Sequence, residues 1–82
     1  MDLRFVGIDP ETDDDGCPTV WVDREAQDLL IQSYTADAET AEKCHSLSPA
    51  KAPIPPTETI IRIPRRMVPL IRKACDDLDG LR

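Results

Sequence analysis

An 82-residue chain with 40% hydrophobic and 32% charged side chains has a globular balance, holds one domain and has no room for a second core. Such a chain buries only roughly 60–65% of its unfolded surface, so its stability margin is narrow and a homodimer would be a natural way to widen it. A net charge of −6 with pI near 4.5 argues against a general nucleic-acid binder, and no stretch approaches the ~20 apolar residues of a membrane span.

The charge is unevenly placed. Met1–Glu42 carries 12 acids against Arg4 and Arg24, whereas Lys43–Arg82 carries 8 bases against Glu58, Asp76, Asp77 and Asp79. The halves can attract one another, or each can face a different partner. Met1–Phe5 has no basic segment leading into an apolar run, so no signal peptide is expected. Three cysteines, Cys17, Cys44 and Cys75, do not make a disulfide framework within one chain, and a cytoplasmic protein with reduced thiols is expected.

Leu3–Ile8 is the first predicted strand, with Leu3 and Phe5 on one face, Arg4 and Val6 on the other, and Gly7 weakening its end. Asp9–Gly16 is acidic, turn-forming and expected to be exposed. Thr19–Asp23 is the second strand, with Val20 and Val22 on one face and Trp21 on the opposite one. Asp23–Gln27 reads as a hairpin turn into a third strand over Asp28–Thr35. Hairpin loops of this length often want glycine in a left-handed position near the end, and Gln27 stands there instead. Asp37–Leu47 is a short helix with Asp37 as N-cap and a thin apolar face, stable only when docked. Ser48–Thr57 holds four of the eight prolines and is an extended connector.

Glu58–Gly80 is the clearest stretch. A β-branched run (Thr59, Ile60, Ile61, Ile63) ends at Pro64 and turns into a helix whose stripe is Met67, Leu70, Ile71, Ala74 and Leu78. Pro69 is tolerated if it falls in the first helical turn, with Pro64–Val68 as a looser lead-in. Gly80 stands where a left-handed cap belongs. These elements predict a single α+β domain over residues 1–82: a small antiparallel-dominated sheet of three to four strands, a C-terminal amphipathic helix packed on one face, and a second short helix. The expected core is Leu3, Phe5, Val20, Val22, Leu29, Ile31, Ile61, Ile63, Leu70, Ile71, Ala74 and Leu78.

Chemistry-bearing motifs are few. Glu11, Asp13, Asp15 and Gly16 imitate part of a calcium loop, but the twelfth position of an EF-hand falls on Val22, inside a strand. Cys17, Cys44, His45 and Cys75 have the composition of a zinc site, or of a metal-binding enzyme or sensor, without a C-x₂₋₄-C knuckle. His45 adjoins Cys44 in sequence, which is poor geometry for a nucleophile and its base. No phosphate-cradling or nucleophile-elbow motif occurs, and neither an enzyme nor a cofactor is expected. Arg62, Arg65, Arg66, Arg72 and Lys73 form the one basic cluster. Nucleic acid is the alternative occupant for it, disfavoured by the acidic pI and the lack of interleaved aromatics. The leading reading is a non-enzymatic interaction protein with a protein partner. Its candidate contact residues are Arg62, Arg65, Arg66 and Arg72 on one side, and Asp13, Asp14 and Asp15 on the other.

The stretches GIDPET, CPTVWVD, DLLIQSY and IIRIPRRMVPLI together resemble a group of small uncharacterised actinobacterial proteins of the pattern GIDPxT, CPxVxVD and RxPxRMxPxI. The similarity covers most of the chain but lies in fold motifs. It departs at Gln27, where the group has glycine, and in the proline-rich connector. Members occur beside helix-turn-helix regulators, so the resemblance implies a regulatory accessory role, with a transcriptional regulator as the partner, and transfers no site residues.

Overall fold

The computed structural model describes residues 1–11, 16–50 and 52–81. The architecture is α+β. Strands β1 (Leu3–Ile8), β2 (Thr19–Asp23) and β3 (Asp28–Gln32) form an antiparallel sheet in the order β1-β2-β3. Strands β4 (Tyr34–Thr35) and β5 (Ile61–Arg62) form a separate two-stranded sheet, and helices α1 (Ala38–Leu47) and α2 (Val68–Asp79) complete the elements.

The predicted apolar stripe docks as the periodicity requires. Val20, Val22, Met67 and Ala74 are fully buried, with Val6, Ile31, Ile63, Leu70, Ile71 and Leu78 packed around them. The core is therefore one sandwich layer between one face of the sheet and α2. The smallest molecular extent, 20 Å, fits two layers stacked about 10 Å apart.

Four core assignments fail: Leu3, Phe5, Leu29 and Ile61, the last because it lies half-buried in the separate two-stranded sheet, outside the core cluster. β1 pairs with β2 as Phe5↔Trp21 and then Gly7↔Val20, which leaves Val6 as an extra residue in a bulge. The bulge lies beyond Phe5, so the predicted alternation over Leu3–Val6 holds and the difference is in which face is covered: Leu3 and Phe5 pair with Asp23 and Trp21, on the side opposite Val20 and Val22. Val6 joins the core, while Leu3 and Phe5 lie on the face away from α2, 48% and 62% exposed. Leu29 pairs with Val22 and shares its face, but it sits on an edge strand and stays exposed. Gly7 remains within the strand, and a Cβ built on it would lie 2.5 Å from Leu70 Cδ2. Any larger residue here would force the Leu70 side chain to move aside.

The predicted third strand is broken at Ser33, where the chain leaves one sheet for the other. Ser33 Oγ donates to the Arg62 carbonyl at 2.6 Å and ties the two-stranded sheet at that corner. The β-branched run accordingly yields only a two-residue strand, which pairs with Tyr34–Thr35 rather than with the main sheet. Helix α1 begins as predicted: Asp37 Oδ1 accepts the Thr40 amide at 2.8 Å. None of its residues is buried, and Leu47 is 86% exposed.

Before α2, Arg65–Met67 form a 3₁₀ turn closed by Met67 N–H on the Pro64 carbonyl at 2.9 Å. Pro69 then falls in the first turn of α2, where its missing N–H removes no bond. Gly80 does cap the helix, but with φ −73° and ψ −8°, in the right-handed region rather than the left-handed one expected. Its N–H donates to Asp76 O at 3.0 Å and Leu81 N–H to Leu78 O at 3.1 Å, so the last turn simply tightens.

The hairpin turn Arg24–Gln27 keeps the strained geometry the sequence suggested. Gln27 has φ +63°, the left-handed region. Replacing it with glycine removes the Cβ penalty, less the extra freedom glycine gives the unfolded chain. Gln27→Gly should therefore raise stability by up to about 1 kcal/mol, read as a higher urea midpoint at unchanged slope. An unchanged or lower midpoint would show that the turn carries no such strain.

Candidate interaction surface

The sheet has two faces, and among the described elements α2 lies on only one of them. On the other, direct cross-strand pairing lines up Phe5, Trp21 and Leu30 in one row across all three strands. Leu3 and Ile8 extend the row along β1. Phe5 is 62% exposed, Leu3 and Ile8 48% each, and Leu30 41%, with Trp21 half-buried between its neighbours. One exposed leucine is ordinary, but five large apolar side chains on one face of the sheet make an exposed apolar patch.

Strand polarity brings carboxylates to one end of this row. Asp23 and Asp28 pair directly across β2 and β3, two residues beyond Trp21 and Leu30, on the same face. Like charges set opposite one another cost stability in a sheet. Asp23 is partly neutralised by main-chain N–H groups: its Oδ1 accepts from Ala26 at 3.2 Å, Asp2 at 3.3 Å and Glu25 at 3.1 Å. These bonds, that from Ala26 foremost, hold its carboxyl below the ordinary value. Glu25 pairs with the N-terminal ammonium, and Arg4 Nε donates to Asp2 at 2.8 Å.

Asp9 contradicts the expectation of an exposed acidic loop, because its side chain is fully buried. Arg66 clamps it from the 3₁₀ turn, with Nε donating to Oδ1 at 2.8 Å and Oδ2 at 2.9 Å, and Nη2 to Oδ2 at 2.7 Å. The clamp raises the Arg66 pKa, and Asp9 Oδ1 also accepts the Glu11 amide at 3.0 Å. Of the predicted basic contact residues, Arg66 is thus engaged within the fold. Arg62 Nη2 donates to Thr40 Oγ1 at 2.9 Å, whereas Arg65 and Arg72 are exposed. Asp13, Asp14 and Asp15, and with them the calcium-like loop, lie outside the described residues.

Cys17, Cys44 and Cys75 form no disulfide; Cys17 is half-buried and the other two are exposed. Cys44 and His45 lie on α1 and Cys75 on α2, and among the described residues no three His, Cys, Asp or Glu side chains are grouped to hold a metal. Two hollows remain. One, of about 390 Å³, runs between α1 and the proline-rich connector past Cys44, His45, Ile54, Pro55 and Ile60. The other, of about 270 Å³, lies between β1 and α2 beside Arg4, Arg24, Lys73 and Asp77.

In that second hollow Arg24 holds α2 to the hairpin, with Nη2 donating to Asp77 Oδ1 at 2.5 Å and Nε to Oδ2 at 3.2 Å. The hydrogen bond from Arg24 keeps the Asp77 carboxyl below its ordinary 3.8. Asp37 is held low by Thr40, and Asp23 as described above. A carboxyl whose folded pKa is depressed adds stability that is present above the unfolded value and is lost as pH falls through the folded one. Thermal midpoints should therefore drop as pH is lowered from about 4, the upper edge set by unfolded carboxylates. Asp77→Asn should flatten part of that drop, and an unchanged acid slope in this variant would show that the Arg24 contact does not discriminate folded from unfolded chain.

Comparison with protein families, curated proteins and solved structures finds no match to this chain. Among the described residues, no helix is long and apolar enough to cross a membrane.

The row Phe5–Trp21–Leu30 was missed in the sequence, although a signal for it is there. Leu29-Leu30-Ile31 is a continuous apolar run, and Trp21 stands between two core valines. Strands covered on both sides read this way, whereas a strand with one wet face alternates.

Proposed function

We propose that this chain is a small non-enzymatic interaction protein, an accessory to a regulatory partner, that works by protein–protein contact through the open face of its sheet. The observation that carries the reading is the contiguous row Leu3, Phe5, Ile8, Trp21 and Leu30 on the side away from α2. Aromatic and aliphatic anchors at the centre of a patch with a charged margin are the usual make-up of a protein interface. The basic cluster is a weaker candidate, since Asp9 engages Arg66 and Thr40 engages Arg62.

A photo-reactive phenylalanine analogue at position 5 tests it. Irradiated in extract of the source cells, it should give one protein adduct of defined mass that is absent when the analogue stands at Lys73, on α2. Leu30→Thr, which keeps strand propensity while removing the apolar group, should abolish the adduct. The same adducts from both positions, or none, would overturn the reading.

A further inference from the structure

The open face also says what kind of partner fits it, an argument that rests on the interaction reading above. Its dimensions come first. Three strands spaced ~4.8 Å apart make a face roughly 14 Å across, and five residues at ~3.4 Å make it roughly 17 Å long. That footprint is far below the ~800 Å² each partner gives to a standard stable interface, so two such faces laid together would not make a lasting dimer. It does match one helix, which is ~10–12 Å in diameter and spans ~17 Å in about three turns. α2, with 12 residues, already covers the opposite face in this way and touches all three strands.

Charge comes second. Asp23 and Asp28 stand side by side at one end of the apolar row, with Asp2 and Glu25 next to them. The cations described near this end are already engaged: Arg4 with Asp2, Arg24 with Asp77 and the N-terminal ammonium with Glu25. A second copy of this face would bring more carboxylates and no free cation to meet them. A partner with lysine or arginine beside its apolar stripe would neutralise the pair, and complementarity of this sort selects partners more than it adds affinity.

We infer that the open face of the three-stranded sheet is a docking site for a basic amphipathic helix of a partner protein. The helix lays its apolar stripe along Phe5, Trp21 and Leu30 and sets a cationic end against Asp23 and Asp28. The molecule would then become a three-layer sandwich, with its own helix on one side and the partner's on the other.

Trp21 is the single tryptophan, so it reports the docking directly. The intact protein is titrated with a Leu/Lys amphipathic peptide of about 18 residues, long enough to sustain a helix, and with the same peptide carrying Glu for Lys. The Lys peptide should shift Trp21 emission to the blue and bind at least ~10-fold tighter than the Glu peptide, with the gap closing at high salt. Phe5→Thr and Leu30→Thr leave every charge in place and should each weaken the Lys peptide by ~10-fold or more, as anchor residues do. Asp28→Lys should narrow the preference between peptides. Equal binding of the two peptides, Lys-peptide binding that survives Leu30→Thr, or a sedimenting dimer dispersed by Phe5→Thr would each overturn the inference. If the position-5 adduct forms while the peptides fail to discriminate, the interaction reading stands and only the class of partner falls.

Discussion

Leu70→Asp should abolish cooperative unfolding altogether. Leu70 packs against the buried quartet from the first turns of α2, and its Cδ atoms lie where a Cβ on Gly7 would stand. Leu70 is half-buried, and its Cδ atoms face Gly7 and the buried quartet, so a carboxylate there would lose hydration without gaining a partner. Burying a charge without a partner costs far more than any surface change, and the group responds by expelling itself or the helix that carries it. The whole fold of an 82-residue chain is worth roughly 4–12 kcal/mol at 0.05–0.15 kcal/mol per residue, so it has little to oppose that. Circular dichroism during heating should show a broad, sloping loss of signal. A sharp transition in this variant would mean that α2 is not needed to hold the sheet. Lys73→Ala, on an exposed position of the same helix, should leave the transition within about 0.5 kcal/mol of the parent.

How far the fold was legible depends on whether a pattern was long enough to survive local irregularity. The stripe Met67, Leu70, Ile71, Ala74 and Leu78 repeats over more than three turns, and its docking follows. Strand β1 has only six residues with apolar side chains on both faces, Leu3 and Phe5 on one and Val6 on the other, and its alternation alone does not say which face the helix covers. Nothing else in so short a run settles it, so Leu3 and Phe5 were assigned to the core. Asp9 and Arg66 are 57 residues apart, and nothing local marks one of many acids in a turn as the buried partner of one of many arginines. The open face was missed for a related reason. Leu30 and Trp21 were legible as apolar, but the side on which the helix lies is a tertiary fact, and the opposite face becomes a surface only once that side is known.

Met67→Ala should produce the second large effect, for a reason opposite in kind to that of Leu70→Asp. Nothing charged is buried; a void is left. Met67 is the largest fully buried side chain, packed with Val20, Val22 and Ala74 where the 3₁₀ turn meets α2. Truncation should cost about 2–5 kcal/mol, lost transfer energy together with the cavity that rigid neighbours fail to close. At ~4–8 °C per kcal/mol for a domain of this size, the melting temperature should fall by roughly 8–40 °C while the transition stays cooperative. Met67→Leu, close in volume, should cost under ~1.5 kcal/mol, and Val68→Ala, one residue on and 40% exposed, should cost under ~0.5 kcal/mol. The Met67 N–H bond to Pro64 O survives all of these changes, so the ordering isolates side-chain packing from turn geometry. If Met67→Ala and Val68→Ala melted alike, the one-layer core would be wrong. The same experiment bears on the surface: below its lowered midpoint, Met67→Ala should still bind the basic peptide, because Phe5, Trp21 and Leu30 project from the opposite side of strands whose pairing it leaves intact.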